Sequence, residues 1–216
     1  MTSQKRATHY YNQFSKVYDW ASPKWYYHNA RNYAIAQLDL APNQTVLNVP
    51  CGTGQNFEYF QTYLKHSGHI IGVDLSPGML AKARHKCYRM SWSNVELHQQ
   101  DVRALTRNWV AREIKSSSPI VIDAILCDLG LSGFPDWQMV IDQLIALLKP
   151  QGKIVILDWY IATPSLRGKF VKWIGKGEVD RPIWQYLEGR VAQFHLKHSF
   201  NRGAVFVASG YKPPDN

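Results

Sequence analysis

Two glycines set between a short apolar run and an amphipathic one constrain this chain more than any other feature. Val46-Leu47-Asn48-Val49 has the length and composition of a buried parallel strand, and Gln55-Asn56-Phe57-Glu58-Tyr59-Phe60 reads as the first turns of a helix. Cys51-Gly52-Thr53-Gly54 makes the joint. A strand that turns into a helix through glycine brings its backbone close to a ligand, and the helix start presents unpaired N–H groups to it. A second strand, His69-Ile70-Ile71-Gly72-Val73-Asp74, ends in an acid twenty residues after Gly54. That spacing marks a βαβ unit whose acid accepts hydrogen bonds from ribose hydroxyls.

Three further pieces follow in order. Ser76-Pro77-Gly78-Met79-Leu80 opens a helix, His98-Gln99-Gln100-Asp101-Val102 follows a third strand, and Leu148-Lys149-Pro150-Gln151-Gly152 precedes a fifth. As an ordered set these residues resemble the class I S-adenosylmethionine-dependent methyltransferases, over roughly residues 10 to 160. The resemblance implies a single α/β domain over 1–216: a Rossmann-like, doubly wound, mostly parallel sheet of seven strands with an antiparallel C-terminal strand. A helical lid is expected over 1–40, the cofactor-binding core over 44–160, and a helix with a β-hairpin over 161–216.

It also implies S-adenosylmethionine as cofactor, held by Asn48, Cys51, Gly52, Gly54, Asp74, Leu75, Met79, Asp101, Val102 and Asp128. Asp74 takes the ribose, Met79 or Leu80 the adenine face, and Asp101 the adenine amine. The chain departs from the family pattern twice, with Asn48 in place of an acid and Pro50 in place of a glycine. Asn48 is expected to hydrogen-bond the cofactor without attracting its ammonium group. Pro50 has no N–H and a restricted φ, which leaves the approach to Cys51, Gly52 and Gly54.

The catalytic candidates are Tyr18 and Asp128. Tyr18-Asp19 resembles the pair that opens methyltransferases of quinones and lipid head groups, and it lies in an aromatic segment, Tyr10 to Trp20. Asp128 ends the apolar run Ile120 to Cys127, and parallel sheets place chemistry at the carboxyl ends of their strands. Either group would orient an acceptor amine and help remove its proton. Pro135-Asp136-Trp137 and Leu157-Asp158-Trp159-Tyr160 resemble short pieces of bacterial lipid-head-group N-methyltransferases. The leading expectation is therefore methylation of the amine of a phospholipid or related head group. The alternatives are C- or O-methylation of a quinone or other small hydrophobic acceptor and, from another class, a non-catalytic binding module that keeps the cofactor fold.

Charge and composition bound the partners. A net charge of +9 favours anionic ones. Pro164 to Lys176 sets Leu166, Phe170, Trp173 and Ile174 against Arg167, Lys169, Lys172 and Lys176, the pattern of an interfacial helix. A peripheral contact with anionic membrane is expected from it. Nucleic acid is disfavoured, because Cys127-Asp128-Leu129-Gly130 stands where many base-amine methyltransferases carry Asn-Pro-Pro-Tyr. No stretch approaches the roughly 20 apolar residues of a membrane span, and the polar N-terminus predicts a cytoplasmic protein. The three cysteines, Cys51, Cys87 and Cys127, have no metal-ligand spacing and read as reduced thiols; no metal is expected. Cys51 and Cys127 are both expected at strand ends facing the cleft.

Overall fold

A computed structural model describes residues 24–115, 120–162 and 178–214. Tyr18, the aromatic segment around it and the basic segment 164–176 lie outside the described residues.

Seven strands form one sheet in the order β3-β2-β1-β4-β5-β7-β6. They are β1 (Thr45–Asn48), β2 (His69–Asp74), β3 (Val95–Gln99), β4 (Ile122–Asp128), β5 (Leu148–Trp159), β6 (Ala192–Phe200) and β7 (Val205–Tyr211). The pairs among β1 to β5 are parallel, while β7 runs antiparallel to both β5 and β6. The chain reverses at Asn201-Arg202-Gly203, with all three residues at positive φ, so the C-terminal hairpin forms where its turn residues predict it.

The inner strands are apolar on both faces because helices cover both. On β4, Ala124 and Leu126 point to one face and Ile125 and Cys127 to the other; on β5, Val155 and Leu157 oppose Ile154 and Ile156. The period of two carries this alternation. The first face is covered by α1 (Lys24–Ala36), α2 (Phe57–Leu64) and α3 (Pro77–Arg89), through Ala34, Ile35, Phe57, Phe60 and Leu80. The second carries α4 (Arg107–Glu113), α5 (Trp137–Leu147) and α6 (Ile183–Glu188), through Trp109, Val110, Val140, Leu144 and Leu187. None of the described helices is long and apolar enough to cross a membrane.

Local signals explain most boundaries. Ser76 caps α3 by accepting the Met79 N–H at 3.2 Å, with Pro77 in the first turn. Val102–Ala104 form a 3₁₀ turn ahead of α4, and Thr106 starts α4 anew by accepting the Trp109 N–H at 3.1 Å. Leu148 to Gly152, expected ahead of the fifth strand, is already part of it. Leu148 pairs with Ile122, and the register then slips before Lys153 meets Ala124. Asp123, the polar interruption in β4, accepts the Thr45 N–H at 2.8 Å and holds Lys149.

Candidate active site

A cavity of about 270 Å³ opens at the carboxyl ends of β1, β2 and β4, where the parallel strands of such a sheet leave a crevice. Of the residues expected to hold the cofactor, Cys51, Gly52, Asp74, Leu75, Met79, Asp101, Val102 and Asp128 line it.

Asp74 is the joint between the first two strands. Its carboxylate accepts the Gly52 N–H at 2.8 Å with one oxygen and the Ser76 N–H at 2.8 Å with the other. The acid therefore ties the glycine turn to the start of α3 while standing in the cavity wall. Burial raises its pKa, opposed by those backbone donors. Gly52 has φ +53°, and a Cβ there would meet no atom within 4 Å. Its backbone faces open space, a cradle for a ligand laid along the turn. Asp101 caps the 3₁₀ turn through the Arg103 N–H at 3.0 Å and pairs with the Arg103 guanidinium at 2.6 Å. That pairing holds its carboxyl below the ordinary range.

Two expected cofactor residues stand off the cavity. Asn48 is fully buried. Its amide donates to the Leu126 carbonyl at 3.3 Å and its oxygen accepts from Asn56 at 3.3 Å, so its polar atoms are spent inside the protein. Gly54, at φ +72°, packs on the Phe57 ring, 2.6 Å from where a Cβ would stand; it shapes the turn and is not in the wall. Cys127, expected to face the cleft, belongs to the core beneath α5. Cys51 does reach the wall, and burial pushes its thiol well up. Pro50 is accommodated by Gly130, where any side chain would strike the proline ring.

Asp128 is not an open carboxylate. Its Oδ2 accepts from the Arg31 guanidinium at 2.9 Å and from the Asn56 amide at 2.8 Å. Both ion-pair partners are almost fully buried. Its Oδ1 is buried with no hydrogen-bond partner among the described residues. Arg31 also holds Gln55 and lies over the Tyr27 ring at 5.2 Å. Arg31, Gln55 and Asn56 all line the cavity, and sequence reading missed all three. Parity carries the only signal: Asn48 and Asp128 fall on the sheet face covered by α1, α2 and α3, so their polar atoms meet donors and acceptors from those helices. Farther along the wall, Leu129, Phe134 and Pro135 present apolar surface, with glycine at 130 and 133. The turn that carries them is held by Asp158 at the end of β5. This fully buried acid accepts the Ser132 N–H at 2.9 Å, and burial raises its pKa to about 6. Among the described residues no group of three or more side chains is arranged to hold a metal ion.

Comparison with known proteins adds to this geometry. Residues 40–196 match the family model described as a methyltransferase domain. The chain is 26% identical over 212 residues to a demethylmenaquinone methyltransferase of Desulfitobacterium hafniense, covering 85% of this chain and 79% of that protein. It is 28% identical over 128 residues to the enzyme so named in Shouchella clausii, where the match spans 59% of this chain and only 50% of the relative. A Haemonchus contortus phosphoethanolamine N-methyltransferase, solved with S-adenosyl-L-methionine, superposes with a TM-score of 0.70 at 14% identity. That match covers 94% of this chain and 60% of the other, and it shows the shared fold.

Proposed function

This chain belongs to the methyltransferase-domain family and is an S-adenosylmethionine-dependent methyltransferase, and from that premise we propose that it methylates a ring carbon of a reduced, quinone-type acceptor. The cavity fits the cofactor: it offers a glycine cradle at Gly52, wall acids at Asp74 after β2 and Asp101 after β3, and a buried carboxylate at Asp128. When bound, the cofactor supplies an electrophilic methyl group on a sulfonium. The chain's part is to hold, orient and keep dry. On this reading Asp74 would accept from the ribose hydroxyls, Asp101 and Met79 would hold the adenine, and Gly52 would let the amino-acid portion follow the turn.

One observation carries the choice of acceptor. The outer wall built by residues 129–135 is Leu129, Phe134 and Pro135 around two glycines, with no titratable group facing the cavity from that stretch. Such a slot suits a flat apolar ring and excludes water, and a ring carbon needs no amine to be deprotonated first. The ring takes the methyl group on carbon, releases its proton from that carbon, and leaves the demethylated cofactor as second product. The two related demethylmenaquinone methyltransferases support the same reading. The amine of an amphipathic head group, the leading expectation from sequence, is the second reading. What favours it is Asp128, a carboxylate among the residues that line the cavity.

The test is transfer of labelled methyl from S-adenosylmethionine to a dithionite-reduced naphthoquinone lacking its ring methyl, beside phosphatidylethanolamine and phosphoethanolamine. Carbon-bound label on the naphthoquinol is expected. Label on an amine, with none on the ring, overturns the proposal. Peripheral contact with an anionic membrane belongs to the same reading. It predicts sedimentation with anionic vesicles that weakens as salt rises, since exposed charges are screened beyond about 10 Å at 0.1 M.

A further inference from the structure

The wall proposed to meet the acceptor is rich in glycine, which gives a backbone many conformations to lose. Gly130 and Gly133 stand in it beside Phe134 and Pro135. Hydrogen bonds from outside the stretch hold it in one shape. Ser132 donates its N–H to Asp158 at 2.9 Å. The Ser132 carbonyl accepts the Glu178 N–H at 2.8 Å, and the Phe134 carbonyl accepts the Arg181 guanidinium at 2.6 Å. Both carbonyl contacts come from one short stretch, 178–181, with Arg181 47 residues along the chain from Phe134.

That stretch is anchored in its own right. Val179 and Ile183 are buried, and the Val179 carbonyl accepts the Ile161 N–H at 2.6 Å. Glu178 aims the Arg181 fork by accepting from Nε at 2.7 Å and pairing with Nη2 at 2.6 Å, while Nη1 reaches Phe134. A planar guanidinium serves both acceptors at once, as an ammonium cannot. Arg181 itself stands outside the cavity wall, so it acts through the Phe134 backbone.

We propose that Arg181, aimed by Glu178, is a positioning residue for the acceptor: it fixes the backbone at Phe134 and so presents the apolar wall already shaped. The inference rests on residues 129–135 meeting the acceptor. A preformed wall spares the acceptor the cost of ordering it. A loosened wall is ordered at the acceptor's expense, and the bound and transition states share that loss, which raises KM and leaves kcat. A merely structural arginine behaves differently. Its removal lowers the folded, active fraction, so kcat falls at constant KM.

Steady-state transfer at saturating S-adenosylmethionine reads the difference, on whichever of the naphthoquinol, phosphatidylethanolamine and phosphoethanolamine the wild-type chain methylates. Arg181→Met is expected to raise the acceptor KM about tenfold, with kcat within about threefold and affinity for S-adenosylhomocysteine within about twofold. Arg181→Lys should fall between Arg181→Met and wild type. Glu178→Met should raise KM less than Arg181→Met, and combining the two should add nothing, because the Glu178 side chain acts on the wall through the guanidinium. The Glu178 side chain is 54% exposed, so its variant reports even if Arg181→Met fails to fold. Amide exchange reads the wall without an acceptor. The Gly133 and Phe134 amides, which donate within the turn, should exchange faster in both variants, while those of β2 do not. The proposal is overturned if KM is unmoved, if kcat falls at constant KM, or if exchange at 133 and 134 is unchanged. Label on an amine with none on the ring overturns the naphthoquinol reading alone, and with transfer to no acceptor the exchange measurement decides.

Discussion

The two ends of the cavity are built in different ways. At the β2 end, Gly52, Asp74 and Ser76 lie within 25 residues of one another, and two backbone hydrogen bonds to one carboxylate assemble them. At the β4 end, Arg31 and Asp128 are 97 residues apart, and Asn56 is 72 from Asp128. The first end is a local device: a strand, a turn, a helix and the next strand specify it almost without the rest of the chain. The second exists only once α1 has docked on the sheet. A local device has a motif, whereas a docked one has only its partners.

This contrast can be broken or sharpened by mutation. The largest effect is expected at the β2 end. Asp74→Asn keeps the side chain's shape but cannot accept at both oxygens, so it disturbs the Gly52 and Ser76 contacts together with the ligand. Affinity for S-adenosylhomocysteine, read by calorimetry, should fall on the order of a hundredfold. A fall below about threefold would mean that the local device shapes the turn without gripping the ligand.

The paired glycines should then separate. Gly54→Ala forces a methyl group into the Phe57 ring at φ +72° and should cost about 2 kcal/mol of stability. Gly52→Ala, at φ +53° in open space, should cost about 1 kcal/mol and weaken ligand binding instead. Denaturant unfolding beside calorimetry reads both, and equal stability losses would refute the division of labour.

The smallest effect is expected from the support of the β4 end. Asp158 has a folded-state pKa of about 6, above the unfolded value of about 3.9. The folded protein therefore binds this proton more tightly than the unfolded chain. The associated stability is fully present below about pH 4 and is lost as pH rises through about 6. Asp158→Asn removes that loss. The melting temperature of the variant relative to wild type should shift in the variant's favour by a few degrees between about pH 5 and about pH 7.5. No shift would mean that Asp158 is not the buried acid that the Ser132 contact implies.

Legibility follows the same division. The seven strands, the Ser76 cap and the C-terminal hairpin were readable because each is written within a few consecutive residues as alternation, a capping side chain or a Gly-containing turn. Asn48 and Gly54 do not line the cavity, because a motif says which residues surround a ligand and not which atoms are already spent. The Asn48 amide is occupied by Leu126 and Asn56, and Gly54 is held against Phe57. Helices α5 and α6 were not singled out from the sequence, and the start of α4 turns on one side-chain cap at Thr106.

By itself, the amino-acid order determined a parallel sheet with a cofactor crevice at its carboxyl edge, since period-two burial and a glycine hinge are properties of neighbouring residues. Tertiary structure alone decided which buried cation faces Asp128, which of its oxygens stays unspent, and that Gly130 makes room for Pro50. Those outcomes depend on where distant segments meet in space, and no local spacing encodes the meeting.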